Sequence, residues 1–166
     1  MNLYPLRDLV WRYRDLLHDV WPTPPPDVAL AFAVTEAGEA VDAWLRTEPR
    51  WARNNDKAHD EADEWADCLM MLVTAAERDS NLWENVPAVG VISRARTVEW
   101  IATAWDSNAN WYSIRCAIAA VIRRIGGQDK ALRLVESRLR RIAAKFGREL
   151  VPDGVRVYDY TEADDA

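Results

Sequence analysis

The chain is short of the residues that mark several common functions. It has two cysteines, Cys68 and Cys116, and neither belongs to a CxxC pair or a Cys/His cluster, so nothing suggests zinc. Both lie in apolar helical runs, where a free thiol behaves as a small buried hydrophobe. No apolar stretch reaches about 18 residues without a charge, so no membrane span is expected. The N-terminal residues, MNLYPLRDLVWRYRDLL, carry charges through their apolar pattern and lack a signal-peptide core. Positive charge is in deficit: 21 Lys and Arg stand against 27 Asp and Glu, a net charge of −6. A phosphate backbone calls for a basic surface, so a general nucleic-acid binder is not expected. Together these absences favour the cytoplasm. There is also no β pattern of any length, no long linker, no low-complexity segment and no convincing internal repeat.

What remains is helical. With 166 residues, 49% of them apolar and 29% charged, the chain suits one domain with a substantial core. Apolar residues recur at helical spacing from Leu6 to Val20. The segment Trp21-Pro-Thr-Pro-Pro-Pro ends that helix. Asp27 is placed to cap the next, Val28 to Arg46, which is apolar on most sides and so central. A loop, Thr47 to Asn55, leads to a third helix from about Asp56 to Arg78. Two more are expected over Val89 to Trp105 and Trp111 to Ile125, the second stopped by Gly126-Gly127. A basic amphipathic helix, Gln128 to Arg148, follows. The acidic tail, 151–166, reads as loosely ordered. Most of the nine tryptophans should be core or interface residues.

Two carboxylate pairs stand out. Glu36 and Glu39 lie in the middle of an almost wholly apolar helix. Glu64 and Asp67 fall where the third helix turns apolar, two to three turns in if it starts at Asp56. Residues three apart share a helix face, with Cβ atoms about 5–6 Å apart, so each pair aims two like charges one way. Burying such charges unpaired is costly. Acids near a helix start often only complement its dipole, which accounts for Asp60, Glu61 and Asp63 but poorly for these four. A shared hard cation, Mg²⁺ or Mn²⁺ in its place, explains them. Mg²⁺ takes oxygen ligands and keeps sites for water and substrate phosphates. Gly38, between the first pair, would let a helix or ligand approach closely.

The order Glu-x-x-Glu, 24 residues, Glu-x-x-Asp resembles the all-α nucleoside triphosphate pyrophosphohydrolases of the MazG type. The resemblance is strongest from Val28 to Ala76, in Thr35-Glu-Ala-Gly-Glu-Ala-Val41 and Asp63-Glu-Trp-Ala-Asp-Cys-Leu69. It implies an all-α helical bundle over residues 1–150, a homodimer or homotetramer, and Mg²⁺-dependent cleavage of a (d)NTP to (d)NMP and pyrophosphate. That serves house-cleaning, with dUTP and dCTP among the candidate substrates. A phosphoribosyl-ATP pyrophosphohydrolase is a weaker option. Glu36, Glu39, Glu64 and Asp67 would be the metal ligands and catalytic residues, and one of them, or Glu61, would orient the attacking water. Two features depart from the family. Ile142 stands where the terminal helix motif has Asn, and residues 86–126 are inserted as a lid, an interface or a packing element. The rival reading is an idle helical nucleotide-binding or protein-interaction module that keeps the acids.

Phosphates need cations beyond the metal. Lys57 is the first choice, with Arg46, Arg50 and Arg53 near the loop and Arg138 and Lys145 on the last helix. Trp44 and Trp51 are candidates to stack on a base. His59 is expected in solvent, and His18 has no identifiable partner.

Overall fold

The structure, a computed structural model, describes residues 1–48, 60–76, 83, 84, 86, 90, 92–106, 111–151 and 154–157. Helix α1 runs Tyr4–Leu17 and buries Leu6, Val10, Tyr13 and Leu17, one apolar stripe at helical spacing. The Leu3 amide donates to the Trp83 carbonyl at 2.9 Å, tying the start of α1 beyond the end of the third helix. Helix α2, Pro26–Thr47, begins one residue before the expected cap. Pro26 is its first residue, where a missing N–H costs nothing, and Asp27 lies in the first turn as a dipole complement. Its buried face is almost pure alanine: Ala29, Ala33, Ala37, Ala40 and Ala43. Small side chains let a neighbour approach closely.

That neighbour is α3, Glu61–Ala75, which packs on α2 more extensively than any other pair of helices among the described residues. Its cap is Asp60, whose side chain accepts from the Ala62 amide at 2.9 Å. Asp56, the expected cap, lies outside the described residues. The later start changes one argument: Glu64 falls in the first turn, so distance from the helix end does not set it apart. Its burial does.

The segment 86–126, expected as an insertion, supplies α4, Arg94–Asp106, and α5, Trp111–Ile125. Helix α5 buries Ile114, Ala117, Ile118, Val121, Ile122 and Ile125 and packs on α3, so this part of the insert is core. Gly126 and Gly127, at φ 107° and 117°, take conformations that side chains resist, and they stop α5 as the sequence predicts. Helix α6, Gln128–Lys145, buries Ala131, Val135, Leu139 and Ala143.

The helix ends three residues before the expected Arg148, ahead of Gly147 at φ 65°. Here the expectation of no strands is corrected, while residues 158–166 of the expected loose tail lie outside the described residues. Arg148–Val151 (β1) and Gly154–Val157 (β2) pair antiparallel, Arg148 opposite Val157 and Val151 opposite Gly154. Four-residue strands are too short to show a period. Arg148 anchors the hairpin by donating to the Leu16 carbonyl at 2.8 Å and to Asp19. The all-helical bundle otherwise stands, and among the described residues no helix is long and apolar enough to cross a membrane. Both cysteines are buried free thiols.

Gly38 lies on the exposed side of α2, and a Cβ built there meets nothing within 4 Å. The close approach expected at this residue is therefore absent among the described residues. Gly38→Ala is expected to raise the free energy of unfolding by about 0.5–1 kcal/mol, as glycine removal in an open helix interior does. A urea titration measures it, and a destabilised variant would mean that something unseen here covers this face.

Candidate metal centre and adjoining cleft

Close packing of α2 on α3 brings carboxylates from the two helices together. One oxygen from each of Glu36, Glu64 and Asp67 lies within 4.8 Å of the other two. Glu64 is 2% exposed and Asp67 8%, while Glu36 is half-buried. Burial first, then the charges of Glu39 and Glu64, push the Glu36 carboxyl above its usual range. On one octahedral Mg²⁺ at about 2.1 Å, cis oxygens lie about 2.9 Å apart and trans ones about 4.2 Å, so the three side chains would draw together by up to about an ångström each to share an ion. Three hard oxygen donors with a surplus of negative charge fit Mg²⁺ or Mn²⁺.

Glu39 does not join this group. It is exposed on α2, though its charge reaches Glu36. The alanine stripe explains the difference. At about 100° per residue, Glu36 lies about 60° round the helix from Ala33, while Glu39 lies about 120° away and turns outward.

Arg138 is placed on the cluster itself. Its Nε donates to Asp67 Oδ1 at 2.7 Å and its Nη2 pairs with Oδ2, a two-pronged contact. One helical turn on, Arg141 approaches Asp63 at 3.4 Å. Because the partners advance on α6 as they retreat on α3, the two helices run antiparallel.

Other sequence candidates are committed elsewhere. The Glu61 carboxylate accepts from Arg94 Nε and Nη2, both at 2.7 Å, and from the Trp65 indole at 3.0 Å. Burial pushes Glu61 upward, but these donors outweigh it and hold the group below its usual range. A carboxylate so engaged is a poor water-orienting base. The Arg94 guanidinium also lies 4.5 Å from the Trp44 ring centre, covering a face expected to be open to a base. Arg46 pairs with Asp42. Lys57, Arg50, Arg53, Trp51 and His59 lie outside the described residues. His18 bonds through Nδ1 to the Asp15 carbonyl at 3.0 Å.

A cleft of about 680 Å³ opens beside the carboxylates, with Glu36 and Asp67 in its wall. Arg138, Arg141 and Lys145 of α6 line it together with Ile142. Its apolar wall includes Trp21, Phe32, Met70 and Met71. Arg14, Trp21 and Phe32 were not found from sequence, because α1, the proline segment and α2 meet here only after folding. Arg14 did leave a signal. It falls on the apolar stripe of α1, between Val10 and Leu17, where an aliphatic residue is expected.

Neither a family model, nor a curated protein, nor a solved structure matches this chain.

Proposed function

We propose that this chain is a Mg²⁺-dependent nucleotide pyrophosphohydrolase of the MazG-like kind, cleaving a (d)NTP to (d)NMP and pyrophosphate. The observation that carries the reading is the convergence of Glu36, Glu64 and Asp67 from two helices beside a cation-lined, partly apolar cleft. A bound Mg²⁺ supplies neutralisation of phosphate charge and a lowered pKa for water. The chain's own residues do the rest. Glu36, Glu64 and Asp67 hold the ion. Arg141 and Lys145, at the cleft wall, are placed to take phosphate oxygens, and Arg138 joins them when Asp67 turns to the metal. The apolar wall takes the nucleoside. Assembly as a dimer or tetramer belongs to the same reading.

A second reading has one observation in its favour. The Arg138–Asp67 pair already neutralises one carboxylate with protein alone, as an idle nucleotide-binding module would require.

Release of pyrophosphate from a panel of NTPs and dNTPs, with and without Mg²⁺, decides between them. The expected result is Mg²⁺-dependent pyrophosphate and nucleoside monophosphate in equal amounts. Folded protein that releases neither, or that releases orthophosphate instead, overturns the first reading.

A further inference from the structure

Among the described residues, Arg14 is a buried charge without an opposite charge beside it. It is 1% exposed. Its Nε and Nη2 donate to Thr74 Oγ1 at 3.3 and 3.2 Å, and Nη2 reaches Met71 Sδ at 3.7 Å. The Trp21 indole lies over its Cζ at 3.7 Å. No carboxylate pairs with it among the described residues, and its buried Nη1 meets no acceptor. Desolvation pulls its pKa down to about 10, still ionised at neutral pH. A buried cation with an unmet donor is costly, and proteins keep such groups rarely and for cause.

Arg14 lines the same cleft as Glu36 and Asp67. Its partner Thr74 is seven residues beyond Asp67 on α3, about 10 Å along the helix axis. Around it are Trp21, Met70 and Met71 rather than charges. Of the cations suited to phosphates, Arg138 contacts the carboxylate cluster at Asp67, and Arg141 contacts α3 at Asp63, on the side of the cluster away from Thr74. A nucleotide with its phosphates at the metal cluster therefore puts its base toward Arg14.

We propose that Arg14 reads the nucleobase, its Nη1 donating to a ring carbonyl oxygen while the Trp21 and Met71 side chains hold the flat faces. The inference rests on the pyrophosphohydrolase reading and names its substrate class: nucleotides with a keto base, over adenine. A carbonyl oxygen is a strong acceptor for a guanidinium. Adenine offers ring nitrogens flanked by an amino donor, whose hydrogens face the cation unfavourably. Nη1 is buried in this structure and the Trp21 ring lies over the guanidinium, so the base enters as that ring swings off Arg14 and stacks on the base instead.

The test is affinity for ITP, GTP, UTP, CTP, dTTP, ATP and inorganic tripolyphosphate with Ca²⁺ in place of Mg²⁺, by calorimetry. Wild type, Arg14→Met and Arg14→Lys are compared. Methionine suits the apolar wall and removes an unpaired buried cation, so Arg14→Met is expected to melt no lower than wild type. If it fails to fold, Arg14→Lys carries the test, keeping the charge but losing the planar donors. The expected result is keto nucleotides bound at least about tenfold more tightly than ATP. Both variants should lose about 10- to 100-fold for keto nucleotides and almost nothing for ATP and tripolyphosphate. Equal wild-type affinity for ATP and ITP overturns the proposal. So does a uniform loss that includes tripolyphosphate, which would make Arg14 a phosphate ligand, or no change at all. Tripolyphosphate binding with nothing added by any nucleoside sinks the base-reading role alone, while binding of neither sinks the nucleotide reading with it.

Discussion

Glu36→Gln is expected to lower Mg²⁺-dependent pyrophosphate release about 10³-fold while leaving the metal-free protein as stable as wild type or up to about 1 kcal/mol more so. The two effects have one cause. Glu36 is half-buried beside Glu64 and within reach of the charge on Glu39, and these surroundings raise its pKa above the ordinary 4.5. Between 4.5 and the raised value the folded protein holds a proton that the unfolded chain has released. Stability therefore falls as pH rises through that window, and the glutamine variant should flatten the fall. Metal binding has the opposite dependence. It requires the ionised carboxylate, so Mg²⁺ affinity should climb over the same window, with a proton released on binding. Steady-state turnover and urea titrations in EDTA across pH 4 to 8 check both halves. Retained turnover would remove Glu36 from the metal site. A loss of several kcal/mol in EDTA would mean that its carboxylate holds the fold together through a bond not seen here.

The acidic cluster was legible in the chain because its cause is local. Acids at three-residue spacing on alanine-rich helices contradict the apolar pattern around them, and that contradiction is visible without a structure. Glu39 shows the limit of the argument. Spacing of three says that two residues share a face but not which way the face points. That was set by the alanine stripe, which puts Glu36 at the edge of the α2–α3 contact and Glu39 outside it. The helices were legible as well, with ends shifted where capping competed: Pro26 displaced Asp27, and Asp60 opens α3. The hairpin after α6 was not, since strands of four residues pair through the backbone and leave little pattern in side chains. The cleft was illegible for a different reason. Its walls come from α1, α2, α3 and α6, and no local rule brings Trp21 to Met71 or Arg141 to Asp63. Nor does any local rule show that one face of the Trp44 ring, a stacking candidate, is covered by an arginine 50 residues along the chain.

Arg138→Leu should destabilise the protein by about 2–3 kcal/mol in EDTA, and excess Mg²⁺ should restore at least half of that loss. Arg138 is the cation that Asp67 has within the protein, held at 2.7 Å through Nε and a second time through Nη2. Removing one partner of a buried pair costs about 3–5 kcal/mol, because the other charge stays behind unpaired. The lower figure allows for solvent, since the Arg138 side chain is 24% exposed. The charge left behind would share a small volume with Glu36 and Glu64, so relaxation of Asp67 alone cannot relieve it. A divalent cation can. In wild type Mg²⁺ must displace the guanidinium from Asp67, whereas in the variant that carboxylate is already released. The variant should therefore bind Mg²⁺ more tightly than wild type, and its stability should rise by about 1.4 kcal/mol for each tenfold excess of ion over Kd. Chemical denaturation at increasing Mg²⁺ reads both quantities. If the ion stabilises wild type and variant alike, Arg138 does not compete for the metal. If it stabilises neither, Glu36, Glu64 and Asp67 are a strained feature of the core held by Arg138, and the metal site fails with the activity proposed for it.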